Sequence, residues 1–112
     1  MIEVVHYVGD DGADYFDRWL RGQSANTRAR IQTRIDRIEL GNLGDHRSVG
    51  KGVLELRIHF GPGYRVYFGR DGDALVILLG GGTKRRQSRD IEAAQFRWNS
   101  YQQEKRNARE TP

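Results

Sequence analysis

Three features of the sequence predict an α+β fold, a small twisted antiparallel-rich sheet with the element order β-α-α-β-β-β-α. Residues 53–68 alternate between apolar and polar side chains around Gly61-Pro62-Gly63, and an apolar run over 74–79 follows the turn Arg70-Asp71-Gly72-Asp73, which together read as a three-stranded meander. Upstream, Ile31, Ile35 and Ile38 recur at helical spacing, and downstream Ile91, Ala94, Trp98 and Tyr101 do the same. The chain has 112 residues, enough for one domain (1–112) that buries one core without covalent staples.

The elements follow in order. Residues 2–8 are rich in β-branched and aromatic side chains and predict a strand. Gly9-Asp10-Asp11-Gly12 opens a new element, and acids there suit the positive end of a helix dipole. Tyr15, Phe16, Trp19 and Leu20 mark a short amphipathic helix to about Arg21, with Gly22 as its stop. Ser24 is placed to cap a second helix. Its remaining surface carries Arg28, Arg30, Gln32, Arg34 and Arg37, which reads as a solvated or acid-paired face, with nucleic-acid contact as the alternative. Gly41 and Gly44 end that helix, and 45–52 reads as a loop.

Strands are expected over 53–60, 64–69 and 74–79. The last of them, ALVILL, is apolar on both faces and belongs in the sheet interior. Gly80-Gly81-Gly82 then reads as a sharp strand-to-helix corner, and a final helix is expected over about 87–105, with the tail 105–112 fraying. In this arrangement helices cover one face of the meander, and the other face is free to carry a site.

Composition narrows the chemistry. The absence of Cys excludes disulfides, a thiol nucleophile and thiolate-bound zinc, and it fits a reducing, cytoplasmic setting. The three histidines, His6, His46 and His59, have no zinc-like spacing, so no metal or other cofactor is expected. No basic-then-apolar leader predicts a signal peptide, and no apolar run approaches the roughly 20 residues of a membrane span. A net charge of +4 favours an anionic partner, and Lys84 to Arg89, KRRQSR, concentrates cations just after the triple glycine.

One constellation stands out. Arg57 and Arg65 flank the Gly61-Pro62-Gly63 turn at spacings that make them near cross-strand neighbours of like parity. Two adjacent guanidinium groups repel unless an anion lies between them, and their planar forks suit phosphate. His59 and Tyr67 share their parity and add a titratable ring and a phenol, and Lys84 follows the glycines. The alternative is an outward polar face paired with Glu55 and neighbouring acids. Arg65 itself is expected to be an exposed sheet residue whose loss leaves folding nearly intact.

The stretches GDHRSVGKGVLELRIHFGPGYRVYF and LLGGGTKRRQSRDI resemble the RelE/ParE toxin superfamily of bacterial type II toxin–antitoxin systems, closest to its HigB-like, phage-derived branch of addiction module killer proteins. The resemblance spans residues 4–101. It implies a RelE-like fold with two N-terminal helices and one C-terminal helix. It also implies a ribosome-dependent mRNA endonuclease that is metal-independent, uses the RNA 2′-hydroxyl as nucleophile and arrests translation. By resemblance Arg57, Arg65 and Lys84 match the catalytic cations, while Lys51, His59, Tyr67, Arg85, Arg86 and Gln87 are expected to contact RNA. Lys84, Lys51 and His59 all remain open as proton carriers. The sequence departs from the family in having no clear C-terminal catalytic tyrosine, since Tyr101 reads as packing. His59 also stands where an acid is more usual.

The implied partners are the ribosome, mRNA and a cognate helix-turn-helix antitoxin in a hetero-oligomeric complex, with no membrane. Two other readings share this fold: a ParE-like poison of DNA gyrase without nuclease activity, and an inactive module kept for antitoxin binding.

Overall fold

Alternation along the strands and helical periodicity outside them produce the expected order with one addition. The computed structural model describes residues 1–110, so Thr111 and Pro112, the end of the tail expected to fray, lie outside the described residues. The elements are β1 (Glu3–His6), α1 (Tyr15–Arg21), α2 (Ala25–Glu39), β2 (His46–Ser48), β3 (Val53–Ile58), β4 (Tyr64–Asp71), β5 (Leu75–Thr83), a 3-10 turn (Lys84–Arg86) and α3 (Gln87–Glu110). The strand order is β1-β5-β4-β3-β2, with β1 parallel to β5 and every other pair antiparallel. The ALVILL segment is interior as expected, because β5 pairs on both sides.

Local signals explain the helix starts. The Asp14 carboxylate accepts from the Asp17 N–H, and the Ser24 hydroxyl oxygen accepts from the Thr27 N–H, each satisfying a donor that the first helical turn leaves free. Ile31, Ile35 and Ile38 then face the sheet and join Phe16 of α1 over Leu56, Ile58, Val66, Phe68, Val76 and Leu78.

Four expectations are corrected. The 45–52 loop contains the short edge strand β2, in which Arg47 lies opposite Glu55. The triple glycine does not form a corner. It continues β5, with Gly80, Gly81 and Gly82 paired to Tyr67, Val66 and Arg65. The reason is space, joined at Gly80 by a backbone φ of 158°. A Cβ on Gly81 would sit 2.2 Å from the Trp19 ring, and one on Gly80 would sit 2.7 Å from the Arg97 guanidinium. Glycine lets α1 and α3 press against opposite faces of one strand.

The second sheet face is not free either. Here α3 lies across it, burying Tyr67, Val53, Ile77 and Leu79 beneath Ala94 and Trp98. Gly69 makes room for Trp98, whose ring would lie 2.3 Å from a Cβ at that position. The helix also runs into the stretch expected to fray, as far as Glu110. Lys105 donates to both Asp71 carboxylate oxygens, at 2.5 and 2.6 Å, and Tyr101 donates to the same carboxylate at 2.6 Å. Burial and that carboxylate push the Tyr101 phenol up to about 12, and its ring stacks on Trp98, so Tyr101 is a packing residue. No helix among the described residues is long and apolar enough to cross a membrane.

Candidate functional site

What α3 leaves uncovered is the end of β3 and β4 beside the Gly61-Pro62-Gly63 turn. Arg57 and Arg65 are direct cross-strand partners there, so their stems leave adjacent strands toward the same face. The turn folds back because Gly61 and Gly63 adopt φ of 54° and 82°, a region open to glycine. Its Gly63 carbonyl accepts from the Lys84 N–H at 3.0 Å, which ties the start of the 3-10 turn to the hairpin. These contacts frame an open groove of about 630 Å³ lined by Arg47, Arg57, His59, Arg65, Lys84, Gln87 and the turn itself.

Two carboxylates organise the cations. Glu55 is fully buried beneath the groove and accepts from Arg47 Nε at 3.0 Å, Tyr67 Oη at 3.1 Å and Gln87 Nε2 at 2.8 Å. Burial, followed by the Glu55 charge, pushes the Tyr67 phenol well above its ordinary value. Asp45, at the rim, accepts from His59 Nε2 at 2.5 Å and from Arg57 Nη2 at 2.7 Å. Those two bonds, His59 first, hold the Asp45 carboxyl down at about 2.

Arg65 is only 7% exposed, so it forms part of the groove floor rather than an exposed sheet residue. Its Nη1 donates to the Tyr64 carbonyl at 3.1 Å, while its Nε lies 3.8 Å from Glu55, beyond hydrogen-bond reach. The Nε groups of Arg57 and Arg65 are both buried without a hydrogen-bond partner among the described residues. Buried donors are normally satisfied, so two unpaired guanidinium N–H groups under an open cationic groove suit a multivalent oxyanion.

The structure therefore brings together Arg57, Arg65, Lys84, His59 and Gln87. It separates the other residues singled out in the sequence. Tyr67 has no exposed surface and its hydroxyl is committed to Glu55, which removes it from any RNA-contacting role. Lys51 lies before the opposite end of β3, beside α3, where it lines a different cleft with Gln95 and Phe96. Arg85 and Arg86 are exposed, but they line a neighbouring surface with Ser88 and Arg89. Sequence reasoning missed Asp45 and Arg47, because the 45–52 segment reads as a loop. The signal that could have found them is the alternation Asp45, Arg47, which mirrors the charges on β3 across the β2–β3 pairing.

Comparison with known proteins agrees with the sequence resemblance at a coarser level. Residues 18–109 match the family described as Phage derived protein Gp49-like (DUF891). An uncharacterized protein of Haemophilus influenzae is 47% identical over 82 residues, covering 72% of this chain and 83% of the relative. The matched region takes in α2, all strands of the groove and nearly all of α3. The chain thus belongs to the phage-derived Gp49-like family.

Proposed function

We propose that this protein is the toxin of a toxin–antitoxin pair and that it cuts mRNA at the ribosome, with the groove as its metal-independent active site. The observation that carries this reading is the cross-strand Arg57–Arg65 pair, with unpaired buried donors, lining one open groove together with Lys84. The reaction needs no external nucleophile. The RNA 2′-oxygen attacks the adjacent phosphorus, the bond from phosphorus to the 5′-oxygen breaks, and a 2′,3′-cyclic phosphate forms. The 2′-hydroxyl proton goes to a base, and the departing 5′-oxygen takes a proton from an acid.

Arg57 and Arg65 hold the phosphate and offset the charge that grows on its oxygens. Neither acts as base, because guanidinium does not release its proton in this range. His59 is the base in this reading. Asp45 accepts its Nε2–H, which leaves Nδ1 with the lone pair that takes the 2′-proton. Lys84, exposed at the groove edge, supplies the proton to the leaving oxygen. The basic groove and the family resemblance also support a cognate antitoxin as partner, with acidic side chains matching the cations.

The test is tightly controlled expression of the wild-type chain and of Lys84→Ala, with mRNA ends mapped by primer extension. New 5′ ends inside translated codons for wild type, lost at equal protein level for Lys84→Ala, are the expected result. Intact mRNA accompanied by a DNA-damage response would refute the nuclease reading and favour gyrase poisoning. Intact mRNA without growth arrest would leave only an antitoxin-binding role.

A further inference from the structure

A second basic groove adjoins the first. It runs along α2, has a volume of about 460 Å³, and shares His59 and Phe60 with the cation groove described above. Its cations are Arg30, Arg34 and Arg37, at i, i+4 and i+7, so they form one stripe with rises of about 6 and 4.5 Å along the helix axis. Among the described residues none of the three forms an ion pair, whereas Arg21, Arg47, Arg57 and Lys105 all do.

Two of these arginines, Arg30 and Arg34, are also held in place. The Arg30 guanidinium lies 4.0 Å from the Phe60 ring centroid, and Phe60 itself stacks on Tyr64 at 6.1 Å. Arg30 is thereby planted where the two grooves meet. Arg34 Nη1 donates to the Arg57 carbonyl at 2.9 Å, while its Nη2 is buried with no hydrogen-bond partner. Desolvation, then the neighbouring Arg37, lowers the Arg34 pKa, and the opposing pull of Asp45 does not cancel them.

We propose that the α2 groove is a second subsite that grips the phosphate backbone of a single-stranded RNA whose scissile phosphate lies in the first groove. This rests on the nuclease reading for the identity of the chain it holds. A polynucleotide fits better than an acidic polypeptide. The groove sets guanidinium forks in a row along α2 and runs on through His59 and Phe60 into the groove that takes the scissile phosphate, so one continuous chain of phosphates can cross both.

The test uses two labelled RNA oligonucleotides, 2′-O-methylated to block cutting: a short one confined to the first groove and a longer one able to reach α2. Fluorescence anisotropy over a salt series reads their affinities. Wild type is expected to bind the longer RNA more tightly, with a steeper salt dependence. Arg30→Gln/Arg37→Gln, both at exposed positions, is expected to weaken the longer RNA about tenfold. It should also reduce the salt slope by about 1.4, at about 0.7 per lost phosphate contact. Binding of the short RNA should not change.

Arg106→Gln/Arg109→Gln removes the same charge from the exposed end of α3 and is expected to leave both affinities near wild type. Equal loss in the two double variants, or no loss in the first, would overturn the subsite. So would tighter binding of labelled oligoglutamate than of the longer RNA, if that binding is lost in Arg30→Gln/Arg37→Gln. Failure to cut mRNA on ribosomes would refute the nuclease reading alone, since the affinities are measured without cutting.

Discussion

Replacing Glu55 by Leu tests whether the groove stands on a buried ionic network. The carboxylate is fully buried and accepts three hydrogen bonds, from Arg47, Tyr67 and Gln87, with Arg65 Nε a further 3.8 Å away. Leucine leaves the Tyr67 hydroxyl and the buried Arg65 cation without that partner. Breaking a buried charge pair on one side costs about 3–5 kcal/mol. For a chain of this length each kcal/mol lowers Tm by about 4 °C, so the expected drop is about 12–20 °C.

The double variant Glu55→Leu/Arg65→Met removes both charges, and it should recover part of the loss, because matched apolar replacement of a buried pair is often close to neutral. The remaining deficit, about 1–3 kcal/mol, is the unpaired Tyr67 hydroxyl. The assay is thermal and urea unfolding of all four members of the cycle. A drop below about 4 °C for Glu55→Leu, or strict additivity of the two substitutions, would refute the network. The same reasoning makes Arg65→Ala a poor test of catalysis, since it confounds function with stability.

Other outcomes follow from single contacts. Gly81→Ala forces a methyl against the Trp19 ring and is expected to cost about 1–3 kcal/mol, seen as a Tm lower by about 4–12 °C; an unchanged Tm would mean that α1 does not press on β5. Ser24→Ala removes the α2 cap and should cost about 1 kcal/mol by urea denaturation, a loss that Ser24→Asp should largely avoid. Asp45 has its folded carboxyl pKa depressed to about 2, so its contribution to stability is complete above the unfolded value near pH 4 and is lost as pH falls through about 2. Across that window the urea midpoint of Asp45→Asn should fall less than that of wild type, and parallel curves would show that the bonds to His59 and Arg57 contribute nothing. In the nuclease assay, Asp45→Asn should also slow cutting, because an amide can donate to His59 Nε2 as well as accept from it and no longer fixes the tautomer.

The sequence by itself determined the elements and the faces. The isoleucine stripe placed α2 on the sheet, the period-two alternation put Arg57 and Arg65 side by side, and the Gly61-Pro62-Gly63 turn set the register that pairs them. Those features depend on contacts between residues close in the chain, and such contacts leave a readable period. Which polar residues would meet solvent was decided only by where α3 came to rest, since alternation tells which side chains share a face and not what covers it. Tyr67 and Glu55 therefore went into the interior, and Arg65 became the floor of a groove. Asp45 reached Arg57 and His59 only because β2 pairs with β3. The triple glycine reads locally as a corner, but in the folded chain Trp19 and Arg97, from helices far apart in sequence, fill the space its missing side chains leave.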